Sequence, residues 1–518
     1  MILKNGRRRC GLASRLFCAA TSFSLIASAV SFAALAPAYA APAKLMLSGA
    51  VIRYDKYSQN LSAEQWQQIL DQISELKITT LIIQYHHYVP RKAADRARLP
   101  EFDFLPGQAP IIAAPSAKPL SKTESAETKA GESGAAEQKF SPAGSMASPL
   151  KNVKSSQTNA SKVSASVKAR AAEPSLDATN LILNYADAHR MNVYLGLWMD
   201  INWFANLDVM DQLAHNLSVS KTDMIKLQEE LTSKKSPAAN SDNSMTPTQS
   251  AADIKDAEAA IAVCKRGLSS VQDELDEKSV YFAAKEDGQI AGPSIKMADT
   301  LFKLYGKHPS FVGWYFPEEI WDAAFSNETI AVLNPLLKFI SAHCRQLSVD
   351  HPRPFVMSPH ASRLHYDSVD AIVKSQTALL KDSGVDVLML EDSIGDLNLK
   401  EDDDISVRLK KHFTAFKNVC DDLQIKLWAD LESYEQINQQ KWDGERKPTN
   451  IARFKKQFQY TYPYLDPADP FFVVFDYLHF FSLLDAKYPD AEARAALYDD
   501  YKREFVDGNF TPAPPAKD

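Results

Sequence analysis

Cysteine is scarce in this chain of 518 residues, with only Cys264, Cys344 and Cys420 beyond residue 40. Three is an odd number, and no two have the close spacing of a metal knuckle. An oxidising compartment would permit one disulfide. Cys344 and Cys420 fall on helices expected to be non-adjacent, so inert thiols are the expectation. Basic blocks are absent outside the first residues, and the formal net charge is −7; nucleic acid is therefore not an expected partner. No apolar run after Pro37 reaches membrane-spanning length. Neither Gly-x-Ser-x-Gly nor a glycine-rich phosphate loop occurs, so esterase and nucleotide chemistry have no support. No cofactor is expected.

What is present starts with a leader. Lys4, Arg7, Arg8 and Arg9 make a basic start, and Arg15 precedes an apolar run over 16–37. Ala38-Tyr39-Ala40 then offers an A-x-A cleavage site, which completes the order of a secretory signal peptide over 1–40. The residues after Arg8-Arg9 fit a twin-arginine signal poorly, and Cys18 lacks the small residues that a lipoprotein site needs. The mature protein is expected in the periplasm or outside the cell, with no membrane span after cleavage.

Removing 1–40 leaves more chain than one compact domain commonly needs, and two insertions account for the surplus. Residues 106–173 are rich in Ala, Ser, Lys and Pro and have few large apolar side chains, which is the composition of a disordered tract. Residues 218–279 read as two polar helices around a Ser/Asn/Pro/Thr-rich tip, with Met224, Leu227 and Leu231 at helical spacing. The remainder alternates short apolar runs with amphipathic ones. Strands are expected at 47–54, 79–88, 192–200, 311–319, 354–360, 385–392, 426–432 and 471–477. Helices are expected at 63–76, 176–190, 293–305, 329–347, 368–383, 405–423, 451–461 and 490–505. Eight strands with intervening helices predict a parallel sheet closed into a single (β/α)₈ barrel, an α/β fold of the TIM type. An open doubly wound sheet would place a glycine-rich turn after the first strand, where Arg53-Tyr54-Asp55-Lys56 stands. Both insertions follow strands, so both emerge on the face that carries barrel active sites.

Acids recur on that face. Strand 3 ends in Asp200, strand 4 in Glu318-Glu319, strand 6 in Glu391-Asp392, strand 7 in Asp430 and Glu432, and strand 8 contains Asp476. Carboxylates at the ends of apolar strands are costly unless paired or used. The bland alternative is that they cap helices or hold Arg53 and Arg363. Aromatic residues crowd the same ends: Trp198, Trp203, Trp314, Trp321, Trp428, Trp442, Tyr85, Tyr88, Tyr315, Tyr434 and Tyr477. Sugar rings stack on such side chains while carboxylates and amides take the hydroxyls; packing of the barrel mouth is the competing explanation. Acids plus aromatics predict glycoside hydrolysis, in which one carboxylic acid protonates the leaving oxygen and one carboxylate attacks or activates water. A metal is not expected. His86 and His87 point to opposite faces of a strand, His360 and His365 follow strand 5, and strand 1 offers no His-x-His.

The segments Gly313-Trp314-Tyr315-Phe316-Pro317-Glu318-Glu319-Ile320, Glu391-Asp392-Ser393-Ile394-Gly395 and Leu427-Trp428-Ala429-Asp430-Leu431-Glu432 resemble an exported bacterial family of unassigned function, described as a glycoside-hydrolase-like TIM barrel. Leu81–Tyr85 and Val193–Trp198 resemble its second and third strands. The resemblance implicates Gln84, Trp203, Glu319, Asp392 and Glu432. Glu391 departs from it, since Gln is usual there. The chain is more distantly similar to retaining glycosidases with an acid/base Glu after strand 4 and a nucleophile Glu at the end of strand 7. Glu319 and Glu432 would fill those roles, although Glu318 stands where Asn is usual. The expected site therefore has Glu319, Glu432 and Asp392 as catalytic groups. Gln84, Tyr85, Trp198, Asp200, Trp203, Trp314, Glu318, His360, Glu391, Trp428 and Tyr434 are its expected carbohydrate contacts. The competing function is a non-catalytic barrel that binds a glycan, or a protein partner through the inserted helices, in polysaccharide export or envelope assembly. Acids each locked to an Arg or Lys would favour that reading.

Overall fold

The structure is a computed structural model that describes residues 45–55, 58–85, 176–235, 247–361, 367–397, 402–437, 445–484, 490–508 and 510. The leader, the 106–173 tract, His86, His87, Tyr88, Arg363, His365 and Trp442 lie outside the described residues. Eight parallel strands close into a barrel: β1 Gly49–Tyr54, β2 Thr80–Tyr85, β3 Asn192–Gly196, β4 Phe311–Phe316, β5 Phe355–Met357, β6 Val387–Glu391, β7 Lys426–Glu432 and β10 Phe472–Phe475. Their order round the barrel is β1-β10-β7-β6-β5-β4-β3-β2, so the expected (β/α)₈ fold is the observed one. A short antiparallel hairpin, β8 Tyr434–Gln436 with β9 Arg446–Pro448, follows β7.

The strands are shorter than the sequence suggested because their acidic ends leave the ladder to form the mouth. The register along β1 and β2 runs from Gly49 opposite Thr80 to Tyr54 opposite Tyr85. Side chains alternate between barrel interior and helix layer. Val51, Ile82, Tyr194, Tyr315, Val356, Val387, Met389, Trp428, Val473 and Phe475 share the interior. Ala50, Ile52, Leu81, Ile83, Trp314, Phe316, Leu388 and Leu390 face outward. Gly313 is required at one point of this packing, since a Cβ there would lie 2.1 Å from the ring of Tyr194.

The helix layer comprises α1 Ala63–Glu75, α2 Ala178–His189, α5 Ala291–Tyr305, α6 Asn327–Leu347, α7 Val369–Leu380, α9 Asp402–Leu423, α10 Ile451–Thr461 and α12 Ala491–Tyr501. Several starts are legible in their caps. Ser62 and Gln65 form a capping box on α1, and Ser326, Ser368 and Asn450 accept from the third backbone N–H of α6, α7 and α10. In α1 the apolar spacing lays Trp66, Ile69, Leu70 and Ile73 against the barrel. Between β3 and α5 run two helices of 33 residues each, α3 Trp203–Lys235 and α4 Pro247–Ser279. They pack on one another, and Lys221 pairs with Glu328 of α6 at 2.7 Å. Only the first half of α3, through Leu217, is buried. Cys264, Cys344 and Cys420 are free thiols; burial raises the last two. Among the described residues no helix is long and apolar enough to cross a membrane.

Candidate active site at the mouth of the barrel

Strand alternation decides which acids enter the barrel. On β7 Trp428 faces inward, so Asp430 and Glu432 do too; on β6 Val387 and Met389 carry Glu391 to the same side. Glu391 and Asp430 are register partners on adjacent strands, which sets their carboxyls side by side. Beyond β4 the parity of Tyr315 continues to Glu319, beyond β5 that of Val356 continues through Ser358 to His360, and Arg53 and Gln84 complete the ring from β1 and β2. Four carboxyls thus converge: Glu319, Glu391, Asp430 and Glu432. Among the described residues none of them forms an ion pair with Arg or Lys.

Burial drives all four upward in pKa. Glu319 is pushed to about 8 by burial and then by Asp396, against the opposing pull of Arg53 and Arg446. Its Oε2 lies 3.4 Å from Nδ1 of His360, whose own pKa burial depresses to about 4. At neutral pH the proton therefore sits on the carboxyl and the imidazole is uncharged, so the contact is not an ion pair. Glu391 is raised by burial, then by Glu319, Asp430 and Glu432, and accepts one hydrogen bond from Ser358 Oγ at 3.0 Å. Asp430 is raised by burial, then by Asp392, Glu319 and Asp476. It is wholly buried, and both of its oxygens lack a hydrogen-bond partner among the described residues. Glu432 is also raised, by burial and by Asp396 and Asp392. It differs in having a donor on each oxygen: Tyr434 O–H at 2.9 Å on Oε1 and the Asp396 N–H at 2.9 Å on Oε2. Hydrogen bonds of that kind favour the ionised form and oppose the rise that burial causes.

The other strand-end acids face away from this cluster or are already neutralised. Glu318, next to Glu319, turns between β3 and β4 and accepts the Asp200 N–H at 2.6 Å. The Asp200 carboxylate accepts from the backbone and side chain of Asn202. Asp392 lies behind the barrel wall: Oδ2 accepts from Gln457 Nε2 of α10 at 2.5 Å, and Oδ1 accepts the N–H groups of Ile394 and Glu432, each at 3.2 Å. Burial raises its pKa to about 6 against the pull of these donors. Asp322 holds Arg408 at 3.1 Å and His412 at 3.2 Å, and His412 Nε2 lies 3.1 Å from the Glu391 carbonyl. Asp396 pairs with Arg446 at 2.6 Å. Asp476 meets Arg53 Nε at 3.5 Å and His479 Nδ1 at 2.9 Å, while the other face of His479 meets Asp55 at 3.1 Å. Burial alone would depress His479, yet Asp476 and Asp55 raise it to about 9. Sequence reasoning missed His479 and Asp55. The His three positions after a strand-8 Asp was their only local trace.

The aromatic expectation is corrected. Tyr85 and Trp314 have the outward parity of their strands: Tyr85 O–H bonds Thr179 at 3.0 Å, and Trp314 packs on Phe311. Trp203 is buried between Phe282 and Phe316 and donates Nε1–H to the Glu319 carbonyl at 2.5 Å. Trp428 does point inward, but deep in the barrel, stacked on Phe471 at 4.0 Å. Trp198 is 5% exposed and Tyr434 is 1% exposed, so neither offers an open ring face. Gln84 does reach the mouth. Its Nε2 donates to Met199 Sδ at 3.6 Å, and its buried Oε1 has no partner among the described residues. No group of three or more His, Cys, Asp or Glu among the described residues is arranged to hold a metal ion.

A family model described as a domain of unknown function (DUF4434) matches residues 279–491, the part of the chain from the end of α4 to the start of α12. No curated protein matches the chain. Among solved structures, it is similar to a Bacteroides thetaiotaomicron protein provisionally named an α-L-fucosidase, at 15% identity and a TM-score of 0.45, over 90% of this chain and 96% of that one. It is also similar to an intracellular xylanase of Thermoanaerobacterium saccharolyticum in complex with xylotetraose, at 11% identity and a TM-score of 0.25, over 59% of this chain and 72% of that one.

Proposed function

We propose that the protein is exported and cleaves a glycosidic bond of a poly- or oligosaccharide with a pair of carboxyls at the mouth of its barrel. The observation that carries this reading is the convergence of four inward carboxyls that no Arg or Lys neutralises among the described residues. A purely binding barrel would lock its acids to cations, as Asp322, Asp396 and Asp476 are locked. Glu319, with its pKa near 8, keeps a proton at neutral pH and delivers it to the leaving oxygen as the C–O bond breaks. Glu432, whose two oxygens each accept a hydrogen bond that favours the ionised form, is assigned the negative charge in the reaction. It either attacks the anomeric carbon or takes a proton from the attacking water. Tyr434 and the Asp396 N–H hold its oxygens, and Asp392 holds its backbone, which makes Asp392 a positioning residue rather than a third catalytic acid. Export rests on the basic, apolar, A-x-A order of the first forty residues.

The test is a screen of the purified protein against bacterial exopolysaccharides, followed by Glu319→Gln and Glu432→Gln. Each variant should lose at least about 10³-fold in kcat while binding the same glycan. Normal turnover by either variant overturns the assignment.

A further inference from the structure

The charges of the mouth do not cancel. Asp396 is matched by Arg446, and Asp55 and Asp476 are matched by His479 and Arg53. Glu319, Glu391, Asp430 and Glu432 are left over, on side chains that are buried or nearly so. An acidic cluster alone would say little, since such groups can take up protons. Two further observations point to a ligand. Both oxygens of Asp430 are buried on the inward face without a hydrogen bond of good geometry among the described residues; the Ser358 hydroxyl is near enough to oppose the rise in its pKa but lies at 2.8 Å from Met389 O and 3.0 Å from Glu391 Oε1. Independently, Gln84, 1% exposed and inward on β2, holds an amide oxygen without a donor. In the strand order β2 stands four places from β6, so Gln84 and Glu391 occupy opposite walls. These unmatched oxygens are acceptors, whereas the nearby Arg53 Nε and His360 Nδ1 face Asp476 and Glu319. A hydroxyl brings one proton; an ammonium group brings three and a positive charge.

We propose that the mouth recognises a glycan carrying a protonated amino sugar, a hexosamine without its N-acetyl group, whose ammonium is taken by the Asp430–Glu391 pair. This deepens the glycosidase reading and rests on it for the identity of the ligand as a sugar. Binding of the cation displaces protons from the cluster, because a positive charge beside Asp430, which is surrounded by Glu391 on β6, Asp392 just after it, Ser358 on β5, Glu319 beyond β4 and Asp476 beyond β10, favours its ionised form.

Titration calorimetry with the full protein tests this without turnover. The probes are glucosamine oligomers, N-acetylglucosamine oligomers, uncharged glucose oligomers and uronic acid oligomers of matched length. The glucosamine series should bind about tenfold to a hundredfold more tightly than the N-acetylated one. It should release protons, read as a dependence of the binding heat on the ionisation enthalpy of the buffer. Asp430→Asn and Glu391→Gln should each shrink the preference to within a few-fold and abolish the proton release. Preference for the acetylated, uncharged or uronic series, or no binding by any probe, overturns the proposal. Glucosamine-selective binding with no hydrolysis would leave this inference standing and remove the catalytic one. Hydrolysis of glycans without charge preference would do the reverse.

Discussion

Replacing Glu319 by Gln should expose how much stability the buried proton of this side chain controls. In the folded protein its pKa is about 8, against an ordinary value of 4.5. Below pH 4.5 both folded and unfolded chains carry the proton, and the contribution of the group is fully present. As pH rises the unfolded chain ionises first, and folding becomes less favourable by about 1.4 kcal/mol for each pH unit until the folded carboxyl also ionises near pH 8. The interval from 4.5 to about 8 corresponds to roughly 5 kcal/mol, and at pH 7 roughly 3 kcal/mol has been lost. Both figures are ceilings, since Asp430 and Glu391 titrate in the same cluster and share the effect. Gln releases no proton. The stability of Glu319→Gln relative to the natural protein should therefore climb by roughly 1 kcal/mol per pH unit between pH 5 and pH 8. Urea unfolding at pH 5, 6, 7 and 8 measures the difference directly. A difference that does not change with pH would mean that Glu319 ionises like an exposed carboxyl, and the proton-donor role would fall with it.

Two packing predictions follow from single contacts. Gly313→Ala should destabilise the protein by about 1–3 kcal/mol in thermal or urea unfolding, because the new methyl group meets the Tyr194 ring inside the barrel; an unchanged midpoint would mean that the interior is looser than its geometry indicates. Asp392→Ala should cost about 3 kcal/mol or more, since it strands two backbone N–H groups in the core and leaves Gln457 Nε2 only the Glu432 carbonyl, and a fully stable variant would show that these donors find other acceptors.

The barrel was legible because its strands are buried on both faces and its helices on one. That produces short apolar runs separated by amphipathic ones, and the runs at 426–432 and 451–461 coincide with β7 and α10. Strand ends were overextended because the residues that form the mouth are apolar or aromatic too. In Phe311–Glu319 the ladder stops at Phe316, although Pro317 alone marks the change in sequence.

The acids and the aromatics at those ends invited the same inference, yet only the acids bear it, and the reason lies in parity. A carboxyl at a strand end has two stable outcomes: it turns inward to a polar mouth, or it turns outward and finds donors, as Asp392 does with Gln457. An aromatic ring has a third, because the layer between barrel and helices accepts it without any partner. Tyr85 and Trp314 took that course, each adjacent to an inward residue, Gln84 and Tyr315. Counting inward positions from a single known interior residue on each strand would have separated Glu319 from Glu318 and Gln84 from Tyr85. The pairing of Glu391 with Asp430 needed more. It depends on the relative register of β6 and β7, which no pattern within either strand records. That register sets the Asp430 and Glu391 carboxyls side by side, so the feature that most constrains the ligand comes from an alignment of two segments 39 residues apart in chain.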